Sequence, residues 1–199
     1  FVNSAMTGTH GGLVVLVADD PSMHSSQNEQ DSRFYGKFAM VPIFEPSSQQ
    51  EAYDMVRDAF DLSERVKLPV LMRLTTRMAH SRAVVVPAVP RDENPLSFPE
   101  DRARWVLLPV NARRRYNELL AVQADLQRLS GASPYNSYRP GDRRGVIACG
   151  IAFNYLMENY PEGCGRTVLK ISQYPLPVET LRRRSEEHTS ELQSRQVIS

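Results

Sequence analysis

The run Leu13-Val14-Val15-Leu16-Val17-Ala18 restricts the folds open to this chain more than any other stretch. It is an unbroken aliphatic run, β-branched at three positions. That pattern predicts a parallel strand buried on both faces. Asp19-Asp20-Pro21 stops it, and a long polar segment continues to Gly36. In α/β proteins the connector after such a strand is where ligand-binding groups gather.

The elements on either side support the same class. Gly8-Thr9-His10-Gly11-Gly12 makes a flexible approach to the strand. Asp31 is placed to cap a short helix through about Met40, with Phe34, Tyr35 and Phe38 on one side. Val41–Phe44 predicts a short strand closed by Pro46. Ser48 precedes Glu51 at capping-box spacing. Ala52, Met55, Val56, Ala59 and Phe60 then recur at helical period, predicting an amphipathic helix to about Val66. Residues 69–74 read as the next buried strand, which completes a right-handed strand–helix–strand crossover with a parallel sheet. Directly behind it lies a second polar cluster, residues 75–82, containing Arg77, His80 and Arg82. If both strands run the same way, the two polar clusters share the carboxyl edge of one sheet.

Residues 87–109 hold five of the fourteen prolines and read as an extended linker. One helix is expected from about Asn111 to Leu129, ended by Gly131, with Arg113-Arg114-Arg115 on its solvated face. A second α/β pattern opens near Gly145. It comprises a strand at residues 146–150, a helix at 151–160, a strand at 167–171, and a new start at Val178 after Pro175-Leu176-Pro177.

Composition bounds the function. With 41% hydrophobic and 24% charged residues, the 199-residue chain can bury a sizeable core. A net charge of +1 gives no electrostatic case for nucleic acid or an anionic membrane. No apolar run approaches a membrane span, no secretory leader is apparent, and a reducing cytoplasm is the expected setting. Two cysteines, Cys149 and Cys164, cannot alone hold a zinc ion or an iron–sulfur cluster. The first residue is Phe1, not Met, which suggests an upstream portion.

The first loop offers the residue types of several local chemistries. Ser25 or Ser26 beside His24 offers a nucleophile and a base, but adjacent residues seldom reach triad geometry and no nucleophile elbow is present. His24, Glu29, Asp19 and Asp20 match no familiar metal spacing. Gly8–Gly12 precedes a strand and does not form a dinucleotide fingerprint. The set His24, Ser25, Ser26, Gln27, Asn28, Glu29 and Gln30 suits a polar ligand better, since it offers mixed donors and acceptors at close spacing. The same side chains also suit the backbone of a long connector, and composition leaves both readings open.

Longer motifs carry a resemblance. The segments are Ala18-Asp19-Asp20-Pro21, His24 through Asp31 and Arg33-Phe34-Tyr35. They continue with Glu45-Pro46-Ser47, Gln50 through Val56, Leu71 through Arg77 and His80-Ser81-Arg82. The last are Pro109 through Arg115, Gly150-Ile151-Ala152 and Tyr174 through Pro177. Together they resemble the alpha subunits of indolepyruvate ferredoxin oxidoreductases, over essentially all of residues 1–183. The resemblance implies a thiamine-diphosphate enzyme of the 2-oxoacid:ferredoxin oxidoreductase class. Such an enzyme decarboxylates an aryl pyruvate to the acyl-CoA, with coenzyme A as co-substrate and ferredoxin taking the electrons. It also implies a beta subunit or fused beta domain as partner, and thiamine diphosphate, Mg²⁺ and 4Fe-4S clusters in the full-length enzyme.

On this resemblance the fold is α/β, a partial pyrimidine-type thiamine-diphosphate-binding domain followed by the start of a transketolase-C-terminal-like domain. Residues 1–83 would be the last part of the first, 84–144 a linker with a long helix, and 145–183 the opening of the second. The activating glutamate would lie upstream. The diphosphate and Mg²⁺ ligands and the cluster cysteines would lie downstream, leaving the chain inactive alone. The His24–Gln30 loop would line the substrate side of the cleft, His24 and Gln27 meeting the 2-oxo acid. Arg77, His80 and Arg82 would border the cleft or a subunit interface. Pyruvate or 2-oxoglutarate oxidoreductases, or a non-catalytic α/β binding module, are the alternatives. Residues 184–199 resemble a translated sequencing adapter and are read as a non-native tail.

Overall fold

The computed structural model describes residues 1–95 and 97–187, so the reading of the tail falls outside the described residues from 188 onward. Its organising unit is a mixed sheet in the order β1-β3-β2-β7. β1 (Val14–Asp19), β2 (Ile43–Phe44) and β3 (Val70–Thr75) are mutually parallel, and β7 (Gln173–Tyr174) joins antiparallel to β2. A second sheet has β6 (Arg166–Ile171) between the antiparallel β4 (Tyr138–Arg139) and the parallel β5 (Asp142–Cys149). The α/β class with parallel pairing is as expected; the antiparallel edge strands β4 and β7 were not.

Helix α3 (Gln49–Val66) follows its sequence signals closely. The Ser48 hydroxyl accepts from the Glu51 N–H at 3.2 Å. The Glu51 carboxylate reaches back one residue further than the capping box requires, accepting from the Ser47 N–H at 2.6 Å and its hydroxyl at 2.8 Å. The buried face is Met55, Ala59, Leu62 and Ser63, packed with Phe44, Val70 and Met72, whereas Val56 and Phe60 are exposed. α3 therefore closes the β2-to-β3 crossover over one sheet face.

On the other face, Val41, Ile43 and Leu71 pack with Ala5 of α1 (Val2–Thr7) and Ala39 of α2 (Arg33–Ala39). Leu119 of α5 (Pro109–Ala121), Leu126 of α6 (Gln123–Gly131) and Leu169, Ile171 and Tyr174 complete the same cluster. One core thus draws side chains from both sheets. α7 (Ile151–Asn159) lies beyond β5, and α8 (Val178–Glu187) follows β7.

Four expectations are corrected. β1 is not buried on both faces. It is an edge strand paired only with β3, and Leu16 is 61% exposed. Its apolar run reports sheet propensity but not how many neighbours cover the sheet. Phe34, Tyr35 and Phe38 share a face of α2, yet all three are exposed, and the helix packs through Gly36 and Ala39. The single helix over 111–129 is broken at Val122. The Gln123 side chain donates to the Leu119 carbonyl at 2.9 Å and the Met40 carbonyl at 3.0 Å, taking the place of a regular turn. Arg115 is buried rather than solvated, pairing with Glu118 at 2.7 Å and Asp101 at 3.2 Å.

The first part of the expected linker is extended and lies along α3, but a 3-10 turn at Arg102–Trp105 interrupts its later part. Val86 donates to Gln50, Ala88 donates to Tyr53, the Val89 carbonyl accepts from Arg57, and Asn94 donates to Glu64. Truncating Met55, which is fully buried beneath β3, removes core volume with no exposed alternative. Met55→Ala in the full-length protein is expected to cost about 2–5 kcal/mol, read as a lowered denaturation midpoint at constant slope.

Candidate functional site at the carboxyl edge of the parallel sheet

β1 and β3 end side by side, with Asp19 opposite Thr75. Both polar clusters of the sequence therefore leave from the same edge. Asp19 and Asp20 grip the loop between them. The Asp20 carboxylate accepts from the Ser25 N–H at 2.7 Å, the Ser26 N–H at 2.8 Å and the Thr76 hydroxyl at 2.6 Å. The Asp19 carboxylate accepts from the Ser32 N–H at 2.7 Å and from the Ser32 hydroxyl where the loop returns. Inside the loop Glu29 accepts from the Ser22 N–H at 2.8 Å. Ser22 and Met23 hold positive φ values of 68° and 54°. Non-glycine residues tolerate that region at a cost that the surrounding bonds must offset.

His24, Ser25, Gln27, Asn28 and Glu29 are exposed, while Ser26 and Gln30 are half-buried. The Ser25 hydroxyl lies 3.4 Å from Asp20, so the Ser25–His24 nucleophile pair is not assembled. Thr76 opens α4 (Thr76–His80) and ties the second cluster to the first. Arg77 turns away from the loop, pairing with Glu158 at 2.7 Å and lying 4.6 Å over the Tyr155 ring of α7. His80 ends α4, and both it and Arg82 are exposed.

Beneath the loop lies a buried charged network that the sequence reading missed. Arg73, 5% exposed, donates from Nε to Asp19 at 2.5 Å and from a terminal nitrogen to Glu45. Tyr174 donates to the other Glu45 oxygen at 2.8 Å. Arg33 makes a two-pronged pair with Asp31 at 2.8 and 2.7 Å and lies 3.7 Å from Glu45. Gly150, at φ 49°, sits so close that a Cβ there would fall 2.4 Å from the Glu45 side chain. A signal was present: an arginine within the apolar strand residues 69–74 must find a carboxylate once buried.

These contacts set the charge states. The Thr76 hydroxyl, then the Ser25 N–H, hold the Asp20 carboxyl well below the usual carboxylate range, against the opposing effect of burial. Burial pushes the Asp31 carboxyl up, but the bonds to Arg33 and the nearby Arg73 outweigh it and leave the group lowered. Asp31 in turn raises Arg33. Burial, followed by Glu45, pushes the Tyr174 hydroxyl up, and burial raises the Cys149 thiol. Among the described residues no group of three or more His, Cys, Asp or Glu side chains is placed to hold a metal ion.

The fold and this edge define an α/β chain that presents a clamped polar loop at the carboxyl end of a parallel sheet. The family comes from comparison with known proteins. The chain is 42% identical over 183 residues to the indolepyruvate oxidoreductase subunit IorA of Methanothermobacter thermautotrophicus, covering 89% of this chain and 30% of that subunit. The same-named subunit of Archaeoglobus fulgidus is 42% identical over 184 residues, covering 87% of this chain and 29% of that protein. That of Thermococcus kodakarensis is 40% identical over 166 residues, covering 79% and 26%. No family model matches the chain. The chain is a homologue of one part of the indolepyruvate oxidoreductase alpha subunit, as its motifs implied, and spans about 30% of the length of these relatives.

Removing Arg73 would leave Asp19 and Glu45 buried without their cation. Arg73→Met is expected to destabilise by about 3–5 kcal/mol in chemical denaturation. Asp20 and Asp31 are both lowered, so each contributes stability above the ordinary carboxylate value, near pH ~4. That contribution is lost as pH falls towards the lower folded values. Stability followed against pH should therefore decline below about pH 4, and more shallowly in Asp20→Ala than in the parent.

Proposed function

We propose that this chain is a segment of an oxidoreductase that oxidatively decarboxylates indolepyruvate, and that the His24–Gln30 loop forms one wall of the substrate cleft. The observation that carries the reading is the loop's position: it stands at the carboxyl edge of the parallel sheet, clamped at both ends, with His24 and Gln27 exposed. The name shared by the relatives supports the oxidoreductase and its aryl 2-oxo acid. The resemblance extends the reading to ferredoxin as electron acceptor, coenzyme A as acyl acceptor and a beta subunit as partner. The enzyme would act in the cytoplasm.

Exposed donors and acceptors on a clamped loop fit one wall around thiamine diphosphate and its substrate. Bound thiamine supplies the electron sink for decarboxylation. Two cysteines and the absence of a metal-ligating group among the described residues do not fit Mg²⁺ or a 4Fe-4S cluster on this chain. No step is assigned to either here, and the isolated chain is inactive on this reading.

The chain's own contribution is binding and orientation. His24 and Gln27 bind the carboxylate or carbonyl of the 2-oxo acid, while the clamped loop fixes both and helps exclude water. The segments 1–83 and 145–183 belong to the pyrimidine-type and transketolase-C-terminal-like domains, joined by 84–144, and 184–199 is a non-native tail. No helix among the described residues is long and apolar enough to cross a membrane.

His24→Ala in a full-length subunit carrying this segment tests the reading. Loss of one hydrogen bond to a charged substrate group is expected to lower kcat/KM for indolepyruvate about 10–100-fold, with the melting temperature unchanged. Unchanged kinetics would remove the loop from the active site.

A further inference from the structure

Asp20 is buried, yet it serves no neighbour in the sheet. Its two oxygens are divided between the loop and the second cluster. One accepts the consecutive N–H groups of Ser25 and Ser26 at 2.7 and 2.8 Å; the other accepts the Thr76 hydroxyl at 2.6 Å. The two gripped amides immediately follow His24, and the two left-handed residues Ser22 and Met23 immediately precede it. His24 is thus carried on a strained turn whose far side is fixed by a single carboxylate. The near side keeps the bond from the Ser22 N–H to Glu29 and that from the Met23 N–H to the Asp20 carbonyl at 3.1 Å, but without the carboxylate the two amides that follow His24 lose their acceptor. The turn would relax, and the imidazole would leave its present direction.

We propose that Asp20 is a positioning residue: with Thr76 as its anchor on the neighbouring strand end, it holds the turn that aims His24 at the substrate. This deepens the reading of the loop as a substrate wall and rests on it. The role is geometric. An asparagine at position 20 keeps an oxygen for the Ser25 and Ser26 amides, and its NH₂ can donate to the Thr76 hydroxyl, which accepts as readily as it donates. An alanine keeps neither. Thr76→Val removes the anchor, together with the hydroxyl's longer contact to the Asp19 carbonyl at 3.3 Å, at a half-buried site where a similar shape is retained.

The experiment uses the full-length subunit, assembled with its partner, and two readouts: hydrogen exchange of the loop peptide containing Ser25 and Ser26, and steady-state kinetics with indolepyruvate. Asp20→Ala is expected to speed exchange in that peptide at least about tenfold and to raise KM several-fold with a smaller change in kcat. Asp20→Asn should restore both, and Thr76→Val should fall between them. Some loss of melting temperature is common to both readings, since Asp20 contributes stability at neutral pH; a purely structural role would instead speed exchange across the core as much as in the loop and leave KM alone. Unchanged loop exchange in Asp20→Ala overturns the proposal. An asparagine variant as impaired as the alanine overturns its geometric basis. Faster exchange with unaltered KM in every variant overturns the role in substrate positioning, and with His24→Ala also silent it removes the loop from the cleft. If His24→Ala is impaired while the Asp20 variants keep KM, the substrate wall stands and only Asp20's part in it fails.

Discussion

The buried guanidinium of Arg73 is the constraint on which the architecture turns. It sits in the middle strand of the parallel trio, with Asp19 of β1 on one side and Glu45 beyond β2 on the other. A buried cation is tolerable only with such partners, and the partners are tolerable only with it. Because each carboxylate belongs to a different strand end, satisfying the charge also fixes where those ends lie relative to one another. Glu45 then passes the constraint on, through Tyr174 to β7 and through the close approach of Gly150 to the turn after β5. Arg33 and Asp31 extend it to the start of α2. Desolvation of the buried charges offsets most of their attraction, so such a network adds little net stability, whereas removing one partner is costly.

Adjacent aspartates do different work because a strand alternates its faces. Asp19, the last residue of β1, lies on the same face as Val17, which pairs with Arg73, and is itself paired with Thr75, two residues beyond Arg73. Its carboxylate therefore turns inward to the guanidinium and to Ser32. Asp20 is already past the strand and turns to the loop and to Thr76. One residue holds the loop's return and the other holds its start. A thirteen-residue connector from Asp20 to Ser32 is thereby closed by groups a single peptide bond apart, which limits the conformational entropy left to its tip.

What could be read from the sequence was what depends on local pattern. The period of Met55 and Ala59, the Ser48 cap and the β-propensity of 13–18 and 69–74 all report on contacts within a few residues, and α3, β1 and β3 appeared where they were placed. The carboxyl-edge position of both polar clusters followed from strand direction alone. What could not be read depended on distant partners. Gln123 breaks the predicted helix by reaching Met40, Arg115 is buried where it pairs with Asp101 and Glu118, and β1 is left at an edge because no strand among the described residues pairs on its far side. The apolar faces of β1 and α2 looked like core because periodicity measures which residues share a face, not whether another element covers it.

The same distinction explains why the loop's composition overstated its ligand-facing groups. Seven polar residues from His24 to Gln30 read as a dense donor set, but most are occupied with the loop itself. The amides of Ser25 and Ser26 are given to Asp20, Glu29 receives Ser22, and Gln30 donates to Asn28 at 3.4 Å. Among the described residues, His24 and Gln27 are the exposed side chains of this set with no such bond. A connector this polar solves two problems together, satisfying its own backbone and presenting a few groups outward. The backbone problem consumes the majority, so on the proposed reading of the loop as a substrate wall recognition rests on the small remainder. That remainder is separated by two gripped amides, which makes the spacing between His24 and Gln27 a property of the Asp20 carboxylate rather than of either side chain.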